Sequence, residues 1–147
     1  MLRSFAAIAL ALTCTVAVAQ DAAKPSGLPR TKSVAGTELY FIAPADGATV
    51  EKTFTVRFGL KGMGVAPAGV IKDGTGHHHL LIDVKTLPPM DLPLPNDDTH
   101  KHYGLGQTEA TITLPPGTHT LQLVLGDAAH IPLDPPVLSP KITVTVK

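Results

Sequence analysis

Thr53-Phe54-Thr55-Val56-Arg57-Phe58-Gly59-Leu60 decides the fold: Phe54, Val56, Phe58 and Leu60 take every second position, with Thr53, Thr55, Arg57 and Gly59 between them. Successive side chains on a strand point to opposite faces, so this is a half-buried β-strand. Further strands lie on both sides. Upstream, the apolar run Leu39-Tyr40-Phe41-Ile42 forms a first strand, stopped by the turn Pro44-Ala45-Asp46-Gly47. Downstream of a Gly-rich loop at 62–76, His78, Leu80, Ile82 and Val84 share one face while His77, His79, Leu81 and Asp83 share the other. Ala110, Ile112 and Leu114 mark a fourth strand, ended by Pro115-Pro116-Gly117; His119, Leu121, Leu123 and Leu125 mark a fifth, and Ile142, Val144 and Val146 a sixth. The 14 prolines lie mainly between these runs, as sheet ladders require. Residues 85–106 leave room for one short edge strand. The pattern predicts an all-β fold over residues 37–147, an immunoglobulin-like antiparallel β-sandwich of six to seven strands without the inter-sheet disulfide.

The N-terminus reads differently. Arg3 supplies a positive charge, Phe5 to Val18 is mostly apolar, and Ala17-Val18-Ala19 is a small-x-small cleavage pattern. Residues 1–19 are therefore expected to be a signal peptide, cut between Ala19 and Gln20. Its apolar run of ~14 residues is short of the ~20 that span a bilayer. Cys14 raises a lipoprotein signal as the rival, but Ala11 and Thr13 fit a lipobox poorly. Residues 20–36, polar and aperiodic, read as a flexible leader. The mature protein is thus expected in the periplasm or secreted, and without cysteine, because Cys14 is the one cysteine in the chain. A formal net charge of +0 points away from nucleic acid and anionic membranes. The absence of Trp argues against stacking platforms for sugars or bases.

The chemistry lies in seven histidines: His77, His78, His79, His100, His102, His119 and His130. With the top defined as the end where the second strand finishes, the third strand starts there, carrying His77 to His79. If residues 85–106 cross the sandwich once, His100 and His102 arrive at the top too, and the fifth strand, running up, delivers Asp127 and His130. His119 is left at the bottom, roughly 26 Å from Asp127 at ~3.3 Å per residue. A His-x-His pair on a strand points both rings to one face, so His77 and His79 can share an ion, and His100 and His102 have the same spacing. Neutral imidazole is a common ligand for zinc and copper(II). The predicted ligands are His77, His79, His100, His102 and His130, with Asp127 as a ligand or as an acceptor that fixes a ring tautomer. A nitrogen and oxygen donor set favours copper(II), zinc or nickel.

The plainer readings stand beside these. His78 shares a face with Leu80 and Ile82 and is expected to be a buried, hydrogen-bonded ring. His119 is expected to be structural or exposed, and the remaining five could gather by chance in polar loops. Two other function classes compete with a metal-buffering or delivery protein. A metal-free interaction or adhesion module would use the Pro-rich loops Leu87-Pro88-Pro89-Met90 and 132–138 to dock a periplasmic partner. An enzyme would need an open coordination position and a substrate pocket, and only Glu109 or Asp127 offers acid–base help. No catalytic residue is assigned.

The strings Gly76-His77-His78-His79-Leu80-Leu81-Ile82-Asp83, then His100-Lys101-His102-Tyr103-Gly104-Leu105-Gly106-Gln107-Thr108-Glu109, then Pro116-Gly117-Thr118-His119-Thr120-Leu121-Gln122-Leu123, and Leu125-Gly126-Asp127 with His130-Ile131-Pro132, resemble domain of unknown function 4399. The resemblance runs from about Tyr40 to Val146. It implies a bacterial, exported, sandwich-like domain with no assigned activity. Family members often carry a further histidine where this chain has Leu133, so a ligand from that position is absent here.

Overall fold

The computed structural model describes residues 28–147, all strand, turn or irregular, with no helix among them. The signal segment 1–19, its cleavage site, Cys14 and residues 20–27 lie outside the described residues. Nine strands are present among the described residues: β1 (Glu38–Ala43), β2 (Ala48–Val50), β3 (Thr53–Lys61), β4 (Gly64–Val65), β5 (Thr75–Ile82), β6 (His100–Tyr103), β7 (Glu109–Thr113), β8 (Gly117–Gly126) and β9 (Ile142–Val146). Six of them are the strands expected from the apolar runs, five with period two and β1 as a continuous apolar run, and β6 is the short edge strand inside 85–106. The two- and three-residue strands β4 and β2 are too short to show a period.

One sheet has the order β1-β3-β7 and is antiparallel throughout. The other has the order β2-β9-β8-β5-β4, with β6 also on β5. The free edge of β5 is divided: β4 pairs in parallel with Thr75 and Gly76, and β6 pairs antiparallel with His78 to Leu81. The two sheets face each other over one core that includes Val56, Phe58, Leu80, Leu123, Leu125, Leu133 and Val144, all at most 2% exposed. Burying such side chains stabilises by ~1.5–3 kcal/mol each relative to exposure. The chain is an immunoglobulin-like β-sandwich, antiparallel except where β2 joins β9 and β4 joins β5 in parallel.

Residues 85–106 cross once. They leave β5 at the bottom, run back up, pair as β6, and enter β7 from the top, opposite β3. On the way Leu94 packs with Leu81 and Val124 in a small second cluster on the outer face of the larger sheet. Val84 belongs to this outer cluster instead of the core face predicted from parity. Asp83 takes φ +58°, its amide donates to the Thr120 carbonyl, and the reversal sends Val84 to the other side.

Residues 28–36, read from composition as the end of a flexible leader, make specific contacts. Lys32 bridges Asp134, and Ser33 N donates to Asp134 O at 3.1 Å. Polar composition hid backbone pairing with a distant loop. The second Pro-rich loop also differs from the expected docking surface. Ile131, Leu133 and Val137 are buried, so its apolar side chains face inward.

Candidate metal centre

His77, His79 and Leu81 project from the outer face of β5, opposite Gly126, Val124 and Gln122 of β8. On the other side β6 sets His102 opposite His79. The ladder thus brings three imidazoles to one patch near the top of the larger sheet. His130 comes from the loop after β8, folded back over that face. One ring nitrogen from each of His77, His79, His102 and His130 lies within 4.8 Å of all the others.

The contacts inside the cluster are close. His77 Nε2 lies 3.0 Å from His79 Nε2 and 3.2 Å from His130 Nδ1. Nitrogens bound to one tetrahedral ion at ~2.0 Å stand about 3.3 Å apart, so these two separations match the spacing that such an ion requires. A neutral imidazole has one N–H and one lone pair. Hydrogen bonding alone requires His77 Nε2 to serve two neighbouring ring nitrogens at once, whereas a cation accepts all of the lone pairs.

Burial fixes the protonation. His77 and His79 are each 1% exposed, and His102 and His130 are half-buried. Desolvation first, then the neighbouring His102 and His130, holds His77 at a pKa of about 4. The same desolvation, with His77 as the leading neighbour, lowers His79 to about 2. His102 is lowered by burial and by His130. At neutral pH these rings are uncharged, so a metal displaces no proton from them. Among the described residues the atoms left buried without a partner include His77 Nδ1, His79 Nδ1 and His102 Nε2. The rings are held by packing instead. A Cβ on Gly126 would lie 2.9 Å from His79 Nε2, and one on Gly104 would overlap the His102 ring. Those two glycines make the space that the imidazoles occupy.

Two residues of the predicted ligand set lie elsewhere. His100 has the right parity but is one step further down β5, opposite Leu81. Its Nδ1 is 3.0 Å from Asp97 Oδ1, the carboxylate that caps the turn into β6 through the amides of Thr99 and His100. Asp127 is at the top, yet its Oδ1 accepts from the amides of Ala129 and Ile131 and its Oδ2 from Thr31 Oγ1. It shapes the loop that carries His130. His78 faces the core at 0% exposed, Nδ1 donating to the Gln107 carbonyl at 3.1 Å, its ring 5.0 Å from that of Phe58. His119 sits at the opposite end, its Nδ1 2.7 Å from Asp83 Oδ2. Sequence parity missed Gly104, Gly126 and Thr31, since a glycine's role as open space shows only in three dimensions.

The family described as Domain of unknown function (DUF4399) matches residues 56–147, which include all four clustered histidines. None of the curated proteins matches the chain. Among solved structures, the fibronectin(III)-like modules of Clostridium thermocellum CbhA are similar at 11% identity and a TM-score of 0.36, covering 74% of this chain and 92% of theirs.

Proposed function

The chain belongs to the family of Domain of unknown function (DUF4399), a description that carries no activity, and from the site itself we propose that it is an exported protein that binds one divalent transition ion, zinc or copper(II), for buffering or delivery. The convergence of four imidazole nitrogens within 4.8 Å on a largely buried face carries this reading. Four neutral nitrogen donors suit zinc, copper(II) and nickel, and they offer neither the thiolate that copper(I) favours nor the oxygens that magnesium and calcium require. His77, His79 and His102 come from paired strands, so three of the four donors are placed before the ion arrives. Protein supplies four donors, two of them buried and two half-buried, which suits holding an ion better than turning over a substrate. The signal-like residues 1–19 support a periplasmic or extracellular setting for that ion traffic.

The test is thermal unfolding of metal-stripped, untagged protein with and without zinc or copper(II). An ion bound only by the native state stabilises by about 2.7 kcal/mol at a hundredfold excess over Kd, which raises Tm by several degrees. The double substitution His77→Ala/His79→Ala should remove that rise, and His119→Ala should leave it intact. An unchanged Tm at large excess of both metals overturns the reading.

A further inference from the structure

Three of the four rings stand on the β5–β6 ladder, but His130 is held from outside it. Its φ is +66°, a region that non-glycine residues enter only when their surroundings hold them there. His130 N donates to Asp127 O at 2.9 Å, and its carbonyl accepts from Leu94 N at 2.9 Å. Asp127 Oδ1 gathers the amides on either side, Ala129 at 2.9 Å and Ile131 at 3.0 Å. The remaining carboxylate oxygen, Oδ2, accepts from Thr31 Oγ1 at 2.8 Å, across 96 residues of sequence.

Thr31 belongs to a strap that grips this loop along its length. Arg30 Nε donates to Pro132 O at 3.0 Å and Arg30 Nη2 to Leu133 O. Asp134 N donates to Thr31 O, and Asp134 pairs with both Arg30 and Lys32, at 3.3 Å and 2.6 Å. Leu28 N reaches the other covering loop at Asp91 O.

We infer that residues 30–33 are a positioning strap for the metal centre: docked, they hold His130 as the fourth imidazole through the Thr31–Asp127 bond, and undocked, they leave a three-imidazole site that releases its ion faster. The inference rests on the metal reading. Thr31 and Asp127 touch no ion in this arrangement and act through the loop. His102 and His130 are the half-buried ligands, so the ion's route to solvent passes the ring that the strap controls.

The experiment uses the full mature chain with zinc as probe. Affinity is measured by chelator competition, release by stopped flow, and the number of bound imidazoles by X-ray absorption. Thr31→Val keeps the side chain's shape and removes the donor. Together with Arg30→Gln, it should still fold and bind one zinc, with affinity 10–100-fold lower, the usual range for losing a partner that orients a ligand. The imidazole count should fall from four to three. Asp127→Asn should remain near wild type, because its amide oxygen can still accept from the loop and its NH2 can bond Thr31, whereas Asp127→Ala should match the strap variant. Wild-type coordination and release in Thr31→Val/Arg30→Gln overturns the strap while leaving the metal site standing. A wild-type chain that binds no zinc overturns both. Thr31→Val alone serves if the double variant fails to fold, and an imidazole count of four with unchanged release there overturns the strap equally.

Discussion

At the scale of single residues, the site depends as much on side chains that are missing as on those present. Gly126 lies opposite His77 on β8, where any Cβ would enter the space of the His79 ring. Gly104 follows β6 and leaves room for His102. Gly126→Ala should therefore displace the His79 ring at an overpacking cost of ~1–3 kcal/mol. Gly104→Ala should move the half-buried His102 ring at smaller cost to the fold. Both variants should bind zinc at least tenfold more weakly than wild type in competition titrations, while far-UV circular dichroism keeps the β signature. Native affinity in both would mean that the rings do not need their present positions. The histidines themselves were legible in the sequence because period two assigns faces: His77 and His79 outward, His78 into the core, His119 at the far end. His100 was misread because parity cannot show that Asp97, three residues earlier, would take its ring.

At the scale of elements, the divided edge of β5 builds the centre. A two-residue parallel contact with β4 occupies only Thr75 and Gly76, which leaves His78 to Leu81 free for β6 and sets His102 against His79. Period two announced β3, β5, β7, β8 and β9 clearly, since each has one face on the core. It was silent on the loops, whose order comes from single anchors with no period. Leu94 is such an anchor, 7% exposed in a segment of prolines and acids, packed on Leu81 and Val124. Its amide also holds the His130 carbonyl. Leu94→Ala should cost ~2–5 kcal/mol in urea unfolding, as buried leucines do. Because it loosens the loop over the site, it should also weaken zinc binding, whereas a core variant such as Leu123→Ala should lower stability with little change in zinc affinity. Equal effects of the two on affinity would show that the covering loop has no separate part in the site.

At the scale of the whole molecule, the two ends of the sandwich respond to acid with opposite sign. At the His77–His79 end and in the adjoining core, burial lowers the pKa values of His77, His78 and His79 below the ordinary 6.5. Between 6.5 and the folded values the unfolded chain binds more protons, so stability is complete above about pH 6.5 and falls as pH drops toward 4. His77 alone, held at about 4, corresponds to a loss of about 3 kcal/mol over that window. At the other end, the hydrogen bond to Asp83 raises His119, and Asp83 is lowered in turn by its bonds to His119 and Thr120. The contribution of His119 is complete below 6.5 and is lost as pH rises through its raised value; that of Asp83 is lost only in stronger acid. Urea midpoints of the metal-free protein should therefore drop steeply from pH 6.5 to 4. His79→Asn, which leaves nothing there to protonate, should flatten that slope, and His119→Gln should lower stability near pH 5 to 6 more than at pH 8. Zinc should steepen the acid limb, since protons and the ion compete for the same lone pairs. A wild-type midpoint constant between pH 4 and 7 would mean that the rings are hydrated and protonate freely in the folded state, which would remove the support that burial gives to the metal reading.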